Sequence, residues 1–491
     1  MKQHCNNLVN WVEGITLIVL FLVTFPFGGF GNTLEEGDIP TTDFHVAALL
    51  NCDKSASMKA TYFYRDTVTK PLVGDSLGAL DFIYLGAGMP HTVYNLRHRK
   101  PLKVAFLGGS ITHMKGWRNL LMAYLTKTYP GTHFEFLEAG IPSLGSVPHA
   151  FRLQQDVLDK MRPDLLFIEA AVNDEGNGTT KTEQLRALEG IVRHALSANN
   201  QMDIILMAFA DEVKNEMYAH GQVPVTVQMH EKVATYYQLP FINLAKEVYT
   251  RITQGAFSWE KDFKSLHPAP FGQALYFHAI RDLIEQALHN ANSAGQKKTY
   301  ASIDRPAKTK LPKPMQKYSY TNGRYVDVKL ATHLEGFQYI NNWTPEDKAR
   351  VRPGFVHVPV LAGTTPGDKL HLDFEGTAVG IAVAAGPDAG AIAYRIDHGP
   401  WQYMDLYTKW SGNLHLPWYE LLADGLKDKT HQLIIKITDR QIYDKGNAVT
   451  AQWSVQATAN GAANHSAQPK QMGTGTAVRI VHFLVNDPHI E

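Results

Sequence analysis

Ser110, Asn173 and His267 each stand at the edge of a loop or helix, and their side chains could together carry out nucleophilic acyl transfer. From Lys103 to Thr112 the chain reads KVAFLGGSIT. Its apolar run, Val104 to Leu107, predicts a buried strand that Gly108 and Gly109 break sharply. Ser110 then falls where a helix should begin, at the C-terminal end of that strand. Ligands and catalytic groups collect at this edge of an open parallel sheet, and helix-start amides favour negative charge. A second apolar run, from Pro163, ends in Asn173-Asp174, and His267-Pro268 precedes a helical pattern from Gln273 to Leu288. Each residue also has a plain reading. Ser110 can be an N-cap, Asn173 a turn residue, and His267 the residue that leads into a helix. Taken together they offer a nucleophile, an oxyanion donor and a general base.

The surrounding elements suit that use. Strand and helix patterns alternate from Lys103: helix at 117–129, strand at 134–137, helix at 150–161 and strand at 165–172. A helix at 181–198, a strand at 204–208, a helix at 225–237 and a strand at 241–243 follow. Such alternation predicts a parallel sheet with helices on both faces. Residues 32–98 form a lead-in with short strand patterns at 60–65 and 80–84. Residues 293–317 are polar, lysine-rich and marked by proline, as a linker is. Beyond them, runs at 355–360, 369–374, 378–383, 391–397, 431–437 and 478–485 are separated by Gly/Pro turns, which predicts an all-β sandwich over 318–491. Residues 460–469 read as an exposed loop.

On these residues the stretch from about 99 to 290 resembles the SGNH family, the GDSL-type esterases and lipases, in four blocks. The GGSIT block would carry the nucleophile, Ser110. The run from Glu138 to Ser146 stands in place of the second block, whose glycine lends a backbone amide to the oxyanion hole. That glycine falls on Ser143 here, with Gly145 as the alternative donor. The third block matches Val172-Asn173-Asp174, which makes the Asn173 side chain a donor beside the Ser110 and Ser143 amides. The fourth matches His267-Pro268, which makes His267 the base. The resemblance implies a three-layer α/β/α domain over 99–292, and the β-sandwich has the texture of the jelly-roll modules found beside carbohydrate esterases. One position departs: the family places Asp three residues before the histidine, and Lys264 stands there. Lysine only donates hydrogen bonds and cannot orient an imidazole through its N–H. Asp262 is the first candidate for that role, Glu260 the second and a backbone carbonyl the third.

Other nucleophile and phosphate motifs are excluded. Thr112 stands where a nucleophile elbow needs its second glycine, no Gly-Lys-Ser/Thr follows the glycines, and G-x-G-x-x-G is absent. Lys+Arg and Asp+Glu number 47 each in the 491 residues, so charge gives no support for a nucleic-acid or anionic-membrane partner. The 22 histidines form no H-E-x-x-H spacing, and neither a metal nor a cofactor is expected. Ile15 to Phe27 is apolar and is followed by Gly28-Gly29, which reads as an export signal over 1–31, with an uncleaved anchor as the alternative. Cys5 lies in that signal and Cys52 is then alone, so no internal disulfide is available. Export without disulfides suits a bacterial periplasm or cell surface.

The sequence thus predicts a secreted serine esterase that removes acyl groups, foremost acetyl, from a carbohydrate. A lipase or small-ester hydrolase of the same family is one alternative. A glycosidase using carboxylates among Asp174, Glu175, Glu260 and Asp262 is another, and a weakly active or non-catalytic sugar-binding protein is a third. Trp401, Tyr403, Tyr407, Trp410, Trp418 and Tyr419 cluster in the β region, where core packing is the first reading and sugar stacking the second.

Overall fold

The computed structural model describes residues 82–293, 306–439 and 474–489. The export signal, both cysteines, the strand expected at 60–65 and the loop at 460–469 lie outside the described residues. Among the described residues, no helix is long and apolar enough to cross a membrane.

The first half is built on a six-stranded sheet. Its order is Ile83–Tyr84, Phe241–Ile242, Asp203–Met207, Leu165–Glu169, Leu102–Gly108, Phe134–Gly140. All neighbours are parallel except the first pair, where the end of the lead-in adds an antiparallel edge strand. Leu165–Glu169 and Asp203–Met207 are buried at every residue, as strands covered on both faces must be. One group of helices, Ser146–Leu153, Lys181–Ala198 and Val225–Tyr237, packs together, and Pro90–Arg97, Trp117–Thr128 and Pro270–Ser293 form another. Local signals set their ends. Thr180 and Glu183 form a capping box at the start of Lys181–Ala198, and Gln238 in the left-handed region (φ 54°) closes Val225–Tyr237.

The second half is an all-β sandwich. One sheet has the order Arg350–Val351, Leu414–Ala423, Ala378–Ala385, Val478–Asn486, Val358–Gly363, Gln338–Trp343, with Gly323–Val326 also paired to Val478–Asn486. The facing sheet runs Gln402–Asp405, Ala391–Ile396, Lys429–Thr438, Lys369–Gly376, Thr332–Glu335. Leu414–Ala423 carries aromatics and a proline, and its pattern gave no strand signal. Past His415 it has a neighbour on one side only, where a proline is tolerated.

The two halves share a core. Ala378–Ala385 is buried on both faces, and its alternation assigns them. Val379, Ile381 and Val383 point into the sandwich, whereas Ala378, Ala382 and Ala384 join the apolar cluster of the α/β half. Tyr320 is buried against Phe151, and its hydroxyl donates to Asp424 at 2.7 Å, which also pairs with Arg186. The described end of the linker is pinned as well. The Gln316 N–H donates to Glu189 at 2.7 Å, and the Tyr236 hydroxyl to the Lys313 carbonyl at 2.8 Å. An apolar seam with a buried tyrosine packs the sandwich against the helices Ser146–Leu153 and Lys181–Ala198 of the α/β half.

Candidate active site

Three strands end side by side at one edge of the sheet: Leu102–Gly108, Phe134–Gly140 and Leu165–Glu169. Ser110 opens a four-residue helix, Ser110–His113, directly after the first. The second glycine of its motif is there for room, because a Cβ on Gly109 would sit 2.0 Å from Asn173 Oδ1. Asn173 therefore lies against the loop that presents Ser110. The serine helix is braced from below by buried Arg118, whose Nε donates to the Thr112 carbonyl at 2.9 Å and Nη2 to that of His113 at 3.2 Å.

Asn173 was expected at the end of a strand, but the strand stops at Glu169 and Asn173 lies in a helix, Ala171–Asn177. The backbone turns at Ala170 (φ −140°, ψ −10°), so the apolar run continues into a buried helical turn. Its side-chain amide makes no hydrogen bond to another described residue. The neighbouring Asp174 is buried and accepts from Ser146 N at 2.8 Å and Ser146 Oγ at 3.0 Å, which ties the Asn173 helix to the loop after the second strand. A Cβ on Gly145 would fall 2.3 Å from Asp174 Oδ1, so this approach also requires glycine. Burial pushes the Asp174 carboxyl up to about 7, opposed by the Ser146 bonds.

Ser143 is buried and has a φ of 73°, in the left-handed region that suits the glycine the family pattern has there. A non-glycine residue costs roughly 1–3 kcal/mol in such a conformation. Two hydrogen bonds hold it: Asn177 Nδ2 donates to its carbonyl at 2.9 Å, and Arg352 Nη1 donates to its Oγ. The N–H groups of Ser143 and Gly145 make no backbone or side-chain hydrogen bond among the described residues. Both amides are available as donors.

His267 Nε2 lies 2.8 Å from Ser110 Oγ. Its loop is set by Ser265, whose Oγ accepts from the His267 N–H at 3.2 Å. The helix that follows is tied to the serine side, since Gln273 Oε1 accepts from Trp117 N at 3.0 Å. His267 is exposed at the surface; desolvation by its surroundings, and then the positive charge of Arg352, lower its pKa below the ordinary histidine value. The imidazole is thus neutral at neutral pH, as a base must be.

The structure does not bring Asp262 to His267. Asp262 lies in a π-helical turn, Trp259–Phe263, and its Oδ2 accepts from Ser258 N at 2.8 Å, closing its own turn. Lys264 ends that turn with a φ of 79°, which swings the chain away between Asp262 and His267. Glu260 is exposed and makes no bond to the imidazole. Among the described residues, no carboxylate bonds His267 Nδ1. The carboxylates considered for glycosidic chemistry also point apart: Asp174 is sealed inside on Ser146, and Glu175 faces Thr226.

A cleft of about 300 Å³ opens beside the serine helix, lined by His113, Glu138, Gly140, Ile141, Pro142, Pro353 and Gly354. The last two belong to the β-sandwich, as does Arg352, whose N–H is held by the His415 carbonyl at 2.8 Å. Nothing in the local sequence around Val351-Arg352-Pro353 marks a site residue, because the loop reaches the site only through the packing of the two halves. Of the aromatics in the sandwich, Tyr407 and Tyr419 are buried, and Trp401 and Trp410 are exposed.

The model of the GDSL-like lipase/acylhydrolase family matches residues 106–275. Among solved structures, the fold is similar to that of CEX, a two-domain esterase active on acetylated mannans, in two crystal structures, one of them co-crystallized with mannopentaose. In both the TM-score is 0.62 and the identity 18%, over 84% of this chain and 99% or 100% of the other. At that identity the likeness is one of fold. No curated protein matches this chain in sequence.

Proposed function

We propose that this chain, whose residues 106–275 carry a GDSL-like lipase/acylhydrolase domain, is an exported ester hydrolase that removes acetyl groups from a carbohydrate. The observation that carries the mechanism is the 2.8 Å contact between Ser110 Oγ and His267 Nε2 at the strand ends. Ser110 Oγ attacks the ester carbonyl while Nε2 takes its proton. The Ser110 and Ser143 amides and the Asn173 side chain hold the oxyanion, with Gly145 as the alternative to Ser143. Nε2 returns the proton to the departing sugar hydroxyl. Water, deprotonated by the same nitrogen, then releases acetate from Ser110. With no carboxylate bonding Nδ1 among the described residues, the pair works as a dyad, and desolvation and the Arg352 charge favour its neutral imidazole.

The carbohydrate reading rests on the two-domain likeness to an acetyl-mannan esterase. Export rests on the apolar stretch before Gly28. The test is hydrolysis of acetylated mannan, acetylated xylan and p-nitrophenyl esters of increasing chain length. Acetate release from a glycan, with p-nitrophenyl acetate favoured over long-chain esters, is expected. Preference for long acyl chains would instead support a lipase.

A further inference from the structure

We propose that Arg352 of the β-sandwich is a positioning residue for the oxyanion hole, holding Ser143 in its left-handed conformation through the serine hydroxyl. This inference rests on the esterase reading above. Ser143 replaces the glycine of the family pattern, is buried, and has a φ of 73°. A glycine adopts that conformation freely, whereas a serine needs outside support. The support comes from both sides of the molecule. Asn177, on the helix that carries Asn173, holds the Ser143 carbonyl at 2.9 Å, and Arg352 holds the hydroxyl that a glycine would lack. Arg352 is itself fixed, its N–H bonded to the His415 carbonyl at 2.8 Å, and Pro353 and Gly354 continue along the cleft wall. The serine and the arginine therefore form one unit. Exchanging glycine for serine has made the amide that faces the oxyanion depend on the seating of the second domain.

The test is a double-mutant cycle on the full chain with p-nitrophenyl acetate, a substrate with no sugar to contact Arg352. R352A is expected to lower kcat about 10- to 100-fold with KM within about threefold, as a displaced oxyanion donor does. R352K should recover part of that loss, since an ammonium can still donate to Oγ. In the S143G background, where there is no hydroxyl to hold, the same R352A change should alter kcat by less than about threefold when both backgrounds are assayed near pH ~8, above the His267 titration that the Arg352 charge also shifts. Unchanged kcat in R352A, or equal losses in both backgrounds, would overturn the proposal. Thermal unfolding gives a readout independent of turnover: R352A should lower Tm more in the parent than in S143G. If the folded parent hydrolyses no ester, the esterase reading falls, and equal Tm losses would overturn the anchor separately.

Discussion

The serine side and the histidine side of the site are built by different means. Ser110, Ser143 and Asn173 hang from three adjacent strand ends, and the approaches at Gly109 and Gly145 lock their loops together. His267 instead comes from a stretch between a π-helical turn and a helix, held by a serine at one point and by Gln273 at another. Among the described residues no carboxylate bonds its Nδ1, and Asp262, five residues before it in the chain, closes its own turn. A sheet edge imposes geometry through backbone topology, whereas a loop leaves it to individual side chains. Substitutions on the serine side should therefore be costly, and carboxylate substitutions on the histidine side should be tolerated.

The largest effect is expected from Ser110→Ala, which should abolish ester hydrolysis while far-UV circular dichroism and Tm stay near the parent, because the half-buried hydroxyl adds little to the core. Next is Asn173→Ala, expected to lower kcat about 10²–10³-fold, the loss typical of one oxyanion donor. A pH profile sharpens the histidine side. The base acts only when neutral, and its pKa is lowered by desolvation and by Arg352. The acid limb of kcat/KM should therefore lie below the ordinary histidine value of 6.5, with activity lost as pH falls through the lowered pKa. A limb above that value would indicate a carboxylate partner raising the base. The smallest effect is expected from Asp262→Asn. The amide oxygen can still accept from Ser258 N, so kcat should change by less than about threefold. A loss near 10⁴-fold would restore Asp262 as the orienting acid.

Much of this arrangement was legible in the chain. Apolar runs located the three strands, the first of them broken by Gly108-Gly109, and the serine, asparagine and histidine stood at their ends or before a helix. What escaped was geometry that depends on distant packing. The run from Leu165 was read as strand through Val172 because a buried helical turn and a buried strand are both apolar. Asp262 was preferred on the assumption of an extended loop, and the π-turn removed that facing. Arg352 carried no local signal, since its loop reaches Ser143 only through the packing of the sandwich on the α/β half, to which the alternating faces of Ala378–Ala385 contribute.

The most direct test of the Ser110–His267 mechanism is mass spectrometry of the acid-quenched enzyme during turnover of p-nitrophenyl acetate. An acetyl group on the peptide containing Ser110, absent in Ser110→Ala and accumulating in a burst ahead of steady hydrolysis, is the expected result. Hydrolysis with no acetyl on Ser110, or parental turnover in Ser110→Ala, would contradict it.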